Sequence, residues 1–398
     1  MSEDQRVRRC AAVSLQPHER MSLDFTALLT GGEAVRIEHV WQATAAHLEQ
    51  AIEIDAAMVD ALGRISDSRW ASRADVAARI GEDRMRALID AGLVLTEGGE
   101  SLADRHDQQL RDMQWHPLAA IAHRYSRWSA VDSVASQNDS RIHSTADLIG
   151  EFGPPPAHLH TRRDARDRTP LPRPSASGLD ELMARRATCR NFDVDRELAN
   201  GDLAALLHRT FGVQGSDELA PGAVALKKNH PSGGGLHPLE AYLIVQRVED
   251  LEPGLYHYNV QAHALDRLRG LSVEAAHTLA RTAVAGQDYF ADAAVLLVVA
   301  ARFARSFWKY RKHPKIYRAI VLESGHASQN LYLAATELGL GAFITAAINE
   351  LEIERAFNLD PMQEGVLAVC GFGPRALHRT TVELDPQGAV WDEAGRLR

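Results

Sequence analysis

Six prolines, Pro154, Pro155, Pro156, Pro170, Pro172 and Pro174, crowd the stretch between Gly153 and Gly178, interleaved with arginine and aspartate. Each fixes φ and removes a backbone donor, so this stretch can form neither a helix nor a central strand and reads as an extended connector. At 398 residues the chain also exceeds the length at which a single hydrophobic core stops growing. Together these features predict an N-terminal domain over residues 1–150, a proline-rich linker over 151–178 and a C-terminal domain over 179–398.

The bulk numbers exclude several classes of protein. A formal charge of -9 gives no whole-chain attraction to nucleic acid or to an anionic membrane. The apolar run 293–301 is far short of the roughly 20 residues that a spanning helix needs. The first residues, Met-Ser-Glu-Asp-Gln-Arg, lack an apolar signal core, so a cytoplasmic protein is expected. Cys10, Cys189 and Cys370 are odd in number and widely spaced, and neither Cys-x-x-Cys nor His-Glu-x-x-His occurs, so no metal site is expected.

In the front region, Ser72 can cap a helix through Ile80, and a second helix over Glu82 to Ala91 ends at Gly92. Leu93 to Thr96 with the Gly98-Gly99 turn then predicts a small hairpin, which makes the unit winged-helix-like. Six arginines between Arg64 and Ala91 are offset by five acidic residues, which disfavours DNA readout. A small packing domain and a peptide-binding unit remain as alternatives. The aromatic segment Met113 to Trp128 reads as core, with a substrate-facing surface as its alternative.

Beyond the linker, helices are predicted over Leu179–Ala187, Asp202–Phe211, Val273–Ala285 and Tyr317–Leu338. Strands are predicted over Ala241–Val248, Ala293–Ala301 and Gly365–Gly371. No regular βαβ rhythm appears, and the fold class is α+β.

Four stretches of this region carry residue types suited to chemistry. Arg186, Thr188 and Arg190 alternate in Arg185-Arg-Ala-Thr-Cys-Arg-Asn-Phe192, so an extended backbone aims two guanidiniums and a hydroxyl at one place. That suits a phosphate, because the guanidinium fork pairs with phosphate oxygens at two points. Arg375 follows two glycines in Cys370-Gly-Phe-Gly-Pro-Arg375. Glu337-Leu-Gly-Leu-Gly-Ala342 ends the long helix with glycines that can present backbone N–H groups. Asn229-His-Pro-Ser-Gly-Gly-Gly-Leu-His-Pro-Leu-Glu240 sets three glycines between two prolines, where backbone amides can lie flat against a planar or anionic group.

These motifs, with Glu323-Ser-Gly-His-Ala-Ser-Gln-Asn330, stand in the order seen in the nitroreductase-like flavoproteins. Pro253-Gly-Leu-Tyr-His-Tyr258 and the Lys309-Tyr310 pair resemble more narrowly the SagB-type dehydrogenases, which include the azoline oxidases of thiazole/oxazole-modified peptide biosynthesis. The resemblance covers roughly 179–379. It implies a nitroreductase-like FMN domain and a homodimer with FMN at the interface. Arg186, Thr188, Arg190 and Arg375 would hold the phosphate and ribityl chain. Pro231, Ser232, Gly233 and Gly234 would line the flavin ring, the turn of Gly339, Leu340 and Gly341 would contact its polar edge, and Gln329 and Asn330 would sit where the long helix passes it. Thr188 stands where Ser is commoner, and Gly233 where Ala is.

The resemblance also implies that Lys309 and Tyr310 are catalytic, since oxidising an azoline removes a proton as well as a hydride. A lysine serves as the base only when burial and neighbouring positive charge bring its pKa down from about 10.4. Arg302, Arg305, Arg311 and Lys312 are near in sequence. The substrate would be a precursor peptide, with a cyclodehydratase as a possible partner and leader binding by the front domain. The alternatives are an NAD(P)H-driven nitro or quinone reductase and an inactive peptide-delivery scaffold.

Overall fold

The apolar run near residue 295 becomes the centre of the larger unit. A computed structural model describes residues 5–139, 142, 144–160, 162, 164 and 166–398. Its contacts divide into two units: 1–127 with 303–319 and 361–363, and 128–302 with 320–360 and 364–398. The expected boundary in the proline-rich segment is therefore corrected, because two later stretches fold with the first 127 residues. Trp115, 3% exposed, provides a physical reason. Its ring packs 4.6 Å from Phe303 and 4.7 Å from Phe307, and its Nε1 donates to the Met362 carbonyl at 3.0 Å. The segment around Trp115 is thus core.

In the first unit, β1 (Arg6–Arg9) lies between the short β5 (Ala71–Ser72) and β6 (Val94–Thr96), antiparallel to both. Ser72 caps the helix Arg73–Ile80 through the Asp75 N–H, and Glu82–Asp90 follows, ending at Gly92 with φ of 69°. The expected wing hairpin is absent. After Gly99, Ser101 and Asp104 form a reciprocal capping box that starts the helix Leu102–Asp112, so β6 pairs instead with the N-terminal strand. A second sheet, unanticipated in the sequence, joins β2 (Val13–Leu23) to β3 (Val35–Ala45) over eleven residue pairs, with β4 (Ile52–Ile54) beyond. Pro17 in β2 is compatible with this sheet because β2 is an edge strand.

The second unit is built on a six-stranded antiparallel sheet in the order β11-β10-β9-β12-β14-β13. Its strands are β9 (Leu239–Val245), β10 (Gly254–Asn259), β11 (Ala264–Gly270), β12 (Val295–Arg302), β13 (Gly341–Thr345) and β14 (Glu364–Gly373). The two-stranded hairpin of β7 (Val213–Ala220) and β8 (Ala223–Lys228) stands apart from it. Strand β12, buried along all but its last residue, pairs with β9 and β14. A β-branched and leucine-rich run with no polar face fits only such a central position. Ala280, Ala283 and Val284, at the end of one helix, and Ile353 and Phe357 of another close the core over it. The α+β expectation holds, and no described helix is long and apolar enough to cross a membrane.

Candidate functional site

Within the second unit, one helix supports two of the predicted motifs. In the long helix Ile316–Glu337, Glu323 is 3% exposed and accepts the Ser232 hydroxyl at 2.6 Å. Ser232 Oγ in turn accepts the His237 N–H at 2.9 Å, which ties the glycine loop closed. Ser232 therefore faces the helix, and only its backbone can line a ring, a correction to the role expected for it. Pro231, Gly233 and Gly234 are exposed, and no atom lies within 4 Å of a Cβ built on Gly233. Gly234 has φ of 72°, a conformation glycine adopts without steric penalty.

About 14 Å further along the axis, by the rise of an α-helix, Tyr332 holds the arginine segment. Its hydroxyl oxygen accepts the Ile344 N–H at 3.2 Å, and its hydroxyl and that of Thr188 hydrogen-bond at 3.0 Å, a contact in which either can donate. Ala187 and Cys189 are buried while Arg186, Thr188 and Arg190 are half-buried, the alternation of an extended segment. Thr188 bridges Ala342 of β13, and the Cys189 N–H donates to the Ala342 carbonyl at 2.9 Å. This close approach requires glycine at 341, where a Cβ would fall 2.4 Å from Cys189 Sγ. The Arg186 guanidinium lies 5.2 Å from the Tyr332 ring centre, and that of Arg190 lies 5.8 Å from the Tyr289 ring centre.

Arg375 is differently engaged. It is buried, with Nη1 on Glu383 at 3.0 Å and Nη2 on the Ala187 carbonyl at 3.2 Å. Glu383 also accepts the backbone N–H groups of Arg190 at 2.6 Å and Asn191 at 3.1 Å, and Trp391 Nε1 at 2.8 Å. Burial alone would raise the Glu383 carboxyl, but the Arg190 amide and the Arg375 charge hold it below the usual range. Arg375 thus braces this segment through one N–H of each terminal nitrogen, and each of those nitrogens carries a second N–H.

The role expected of the Gly339 turn is corrected. Gly339 N–H goes to Thr336 O at 3.2 Å and Leu340 N–H to Ala335 O at 2.8 Å, with Gly339 at φ of 72°. This is a Schellman closure of the helix, which uses two of the amides expected to face a ligand. Gln329 is exposed. Asn330, two turns on from Glu323 and so on the same helix face, has a buried Nδ2 without a hydrogen-bond partner among the described residues. An open space at Gly233, two half-buried arginines, the Thr188 hydroxyl and the partnerless Asn330 amide donor fit a flat ligand with an anionic tail.

Lys309 and Tyr310 lie on the helix Phe303–Tyr310 rather than in a loop, with Lys309 Nζ 5.5 Å from the Tyr310 ring centre. Lys309 is exposed in the single chain, so the burial expected of a basic lysine is not met there. Of the cations named beside it, Arg302 is paired with Glu240 at 2.6 Å.

The structure also gathers residues that the sequence patterns did not single out. His230, His237 and Glu323 converge at the base of the glycine loop. Burial would raise the Glu323 carboxyl, but both imidazoles and Ser232 hold it down, to about 2. A neighbouring polar cleft of about 390 Å³ is lined by Lys228, His237, Glu240, Tyr242, His257 and Arg302 among others. Burial pushes the Lys228 ammonium below the usual lysine range. Only the run of histidines around the loop hinted at this, because Glu323 and Lys228 come from other elements.

Comparison with known proteins gives the site its class. The nitroreductase family model matches residues 183–374. MJ1384 of Methanocaldococcus jannaschii, a protein named for the nitroreductases, is 32% identical over 181 residues, 46% of this chain and 84% of MJ1384. The chain belongs to the nitroreductase family. Within that family its motifs are those of the SagB type, and a relative named for peptide processing supports this narrower placement. That relative, the trifolitoxin-processing protein TfxB of Rhizobium leguminosarum bv. trifolii, is 33% identical over 144 residues, 36% of this chain but only 38% of TfxB. Among solved structures, the E. coli microcin synthetase McbBCD complex with truncated pro-MccB17 bound contains a chain of the same fold. It has a TM-score of 0.51 and 22% identity, and the match covers 67% of this chain and 97% of that one.

Proposed function

We propose that this protein is an FMN-dependent dehydrogenase that matures a ribosomally made peptide, most simply by oxidising azolines to thiazoles or oxazoles. The observation that carries this reading is the suspension of the glycine loop and the Arg-x-Thr-x-Arg segment from one helix, through Glu323 and Tyr332. FMN bound there would supply the hydride acceptor. Arg186 and Arg190 would hold its phosphate, and Thr188 would donate to the phosphate or ribityl chain. Pro231, Gly233, Gly234 and the Ser232 backbone would bear the ring, and Asn330, with Gln329 beside it, would donate to its edge.

In this reading the site is completed by a second copy of the chain at a homodimer interface. That arrangement would also cover Lys309, which is exposed in one copy and needs cover to take a proton. Tyr310, adjacent to it, would orient the ring being oxidised. A peptide-binding role for the first unit and a cyclodehydratase partner belong to the same reading. The name of TfxB supports peptide processing as its setting.

The test is the full chain purified without added flavin and then mixed with NADPH. A yellow protein that NADPH does not bleach, and in which Lys309→Ala stays yellow but no longer oxidises peptide, is expected. Rapid bleaching by NADPH would favour a nitro or quinone reductase, and a colourless protein would indicate a scaffold.

A further inference from the structure

The strongest unassigned feature is the cluster beneath the glycine loop. The side chains of His230, His237 and Glu323 are 1%, 3% and 4% exposed. His230 Nε2 stands 3.4 Å and His237 Nδ1 3.5 Å from the same oxygen, Glu323 Oε1. None of these three buried atoms has a hydrogen-bond partner among the described residues.

The chemistry of His230 sharpens the point. Its Nδ1 is 3.2 Å from the Thr210 carbonyl, which can only accept, so Nδ1 carries the proton. In the neutral ring Nε2 is then a lone pair facing a carboxylate oxygen, and two acceptors do not sit together unless something positive lies between them. A histidine backed by a carbonyl on its far nitrogen is also the usual arrangement of a metal ligand.

The spacing distinguishes a metal ion from a proton. An imidazolium donating to a carboxylate closes to about 2.7–2.9 Å. Ligand atoms about 2.0 Å from a tetrahedral zinc stand about 3.3 Å apart, close to the separations found. Two further details favour a built site. Ser232 Oγ donates to the other oxygen, Glu323 Oε2, and so orients the carboxylate. His237 adopts φ of 45°, a sparsely populated conformation for a histidine that is retained here with its ring in the cluster.

We infer that His230 Nε2, His237 Nδ1 and Glu323 Oε1 bind a divalent transition-metal ion of the zinc class, which pins the glycine loop to the long helix. The three donors leave a fourth coordination position. This inference does not depend on the flavin reading.

The test uses the full chain, both as purified and after removal of flavin, dialysed first against zinc sulfate and then against metal-free buffer. About one zinc per chain is expected, falling to about a tenth or less in His230→Ala and Glu323→Gln while His39→Ala, an exposed control, retains it. Cobalt(II) added to the zinc-free wild type should give the visible bands of a tetrahedral N/O site, a readout that needs no variant to fold. Less than about a tenth of an ion per chain in wild type, or a featureless cobalt spectrum, would overturn the inference. Glu323 would then be balanced by a protonated imidazole and by Lys228.

Discussion

At the scale of single residues, the division of labour among the arginines is the main result. The family resemblance implies a phosphate role for Arg375, and the structure also pairs it with the Glu383 carboxylate, supplied from a later turn. Arg186→Ala and Arg190→Ala are therefore the cleaner probes of an anionic ligand. Each is expected to weaken FMN binding by roughly ten- to a hundredfold without lowering the melting temperature, since a hydrogen bond to a charged group is worth about 1.5–3 kcal/mol. Equilibrium dialysis with FMN measures this. Arg375→Ala should instead cost about 3–5 kcal/mol of stability, because it leaves a buried carboxylate uncompensated. The Glu383 carboxyl is depressed in the folded chain, so its contribution is full above the ordinary glutamate range and is lost as pH falls through its lowered value. Acid unfolding followed by circular dichroism should thus lose part of its low-pH dependence in Glu383→Gln, and an unchanged acid limb would contradict the brace.

At the scale of elements, the approach of β13 to the arginine segment makes the sharpest demand. Gly341→Ala would place a methyl against Cys189 Sγ and 3.2 Å from Arg375 Cγ, so it should destabilise the chain by about 1–3 kcal/mol and loosen the Thr188 bridge, read as weaker FMN retention. What could be read from the sequence here was local. Ser72 as a cap, the glycine end of the long helix, the buried runs of β9, β12 and β14 and the alternation through Thr188 all follow from neighbours in the chain. What could not be read depended on distant partners. Strand β1 becomes central by pairing with residues near 72 and 95; β2 and β3 were missed although apolar residues alternate along both, and they end in an exposed stretch with Met21, Leu23, Val35 and Ile37 at the surface. The ligand-facing roles expected for Ser232, Gly339 and Arg375 come from the family resemblance, which does not show their partners within the chain. Glu323, the Schellman closure and Glu383 each occupied those groups from elsewhere.

At the scale of the whole molecule, two units share a chain that passes between them more than once, so neither is a simple N- or C-terminal half. Family membership makes oxidoreductase chemistry the reading to test first. Burial pushes all three thiols up to about 12, which disfavours their thiolates. The native chain should therefore react with a thiol reagent at none of its cysteines, and at all three once denatured. The most direct test of the central claim is mass spectrometry of an azoline-containing precursor peptide incubated in air with the flavin-loaded full chain. Loss of two hydrogens for each ring oxidised, abolished by Lys309→Ala in a protein that keeps its flavin, is the predicted result; a peptide of unchanged mass beside a fully flavin-loaded wild type would contradict it.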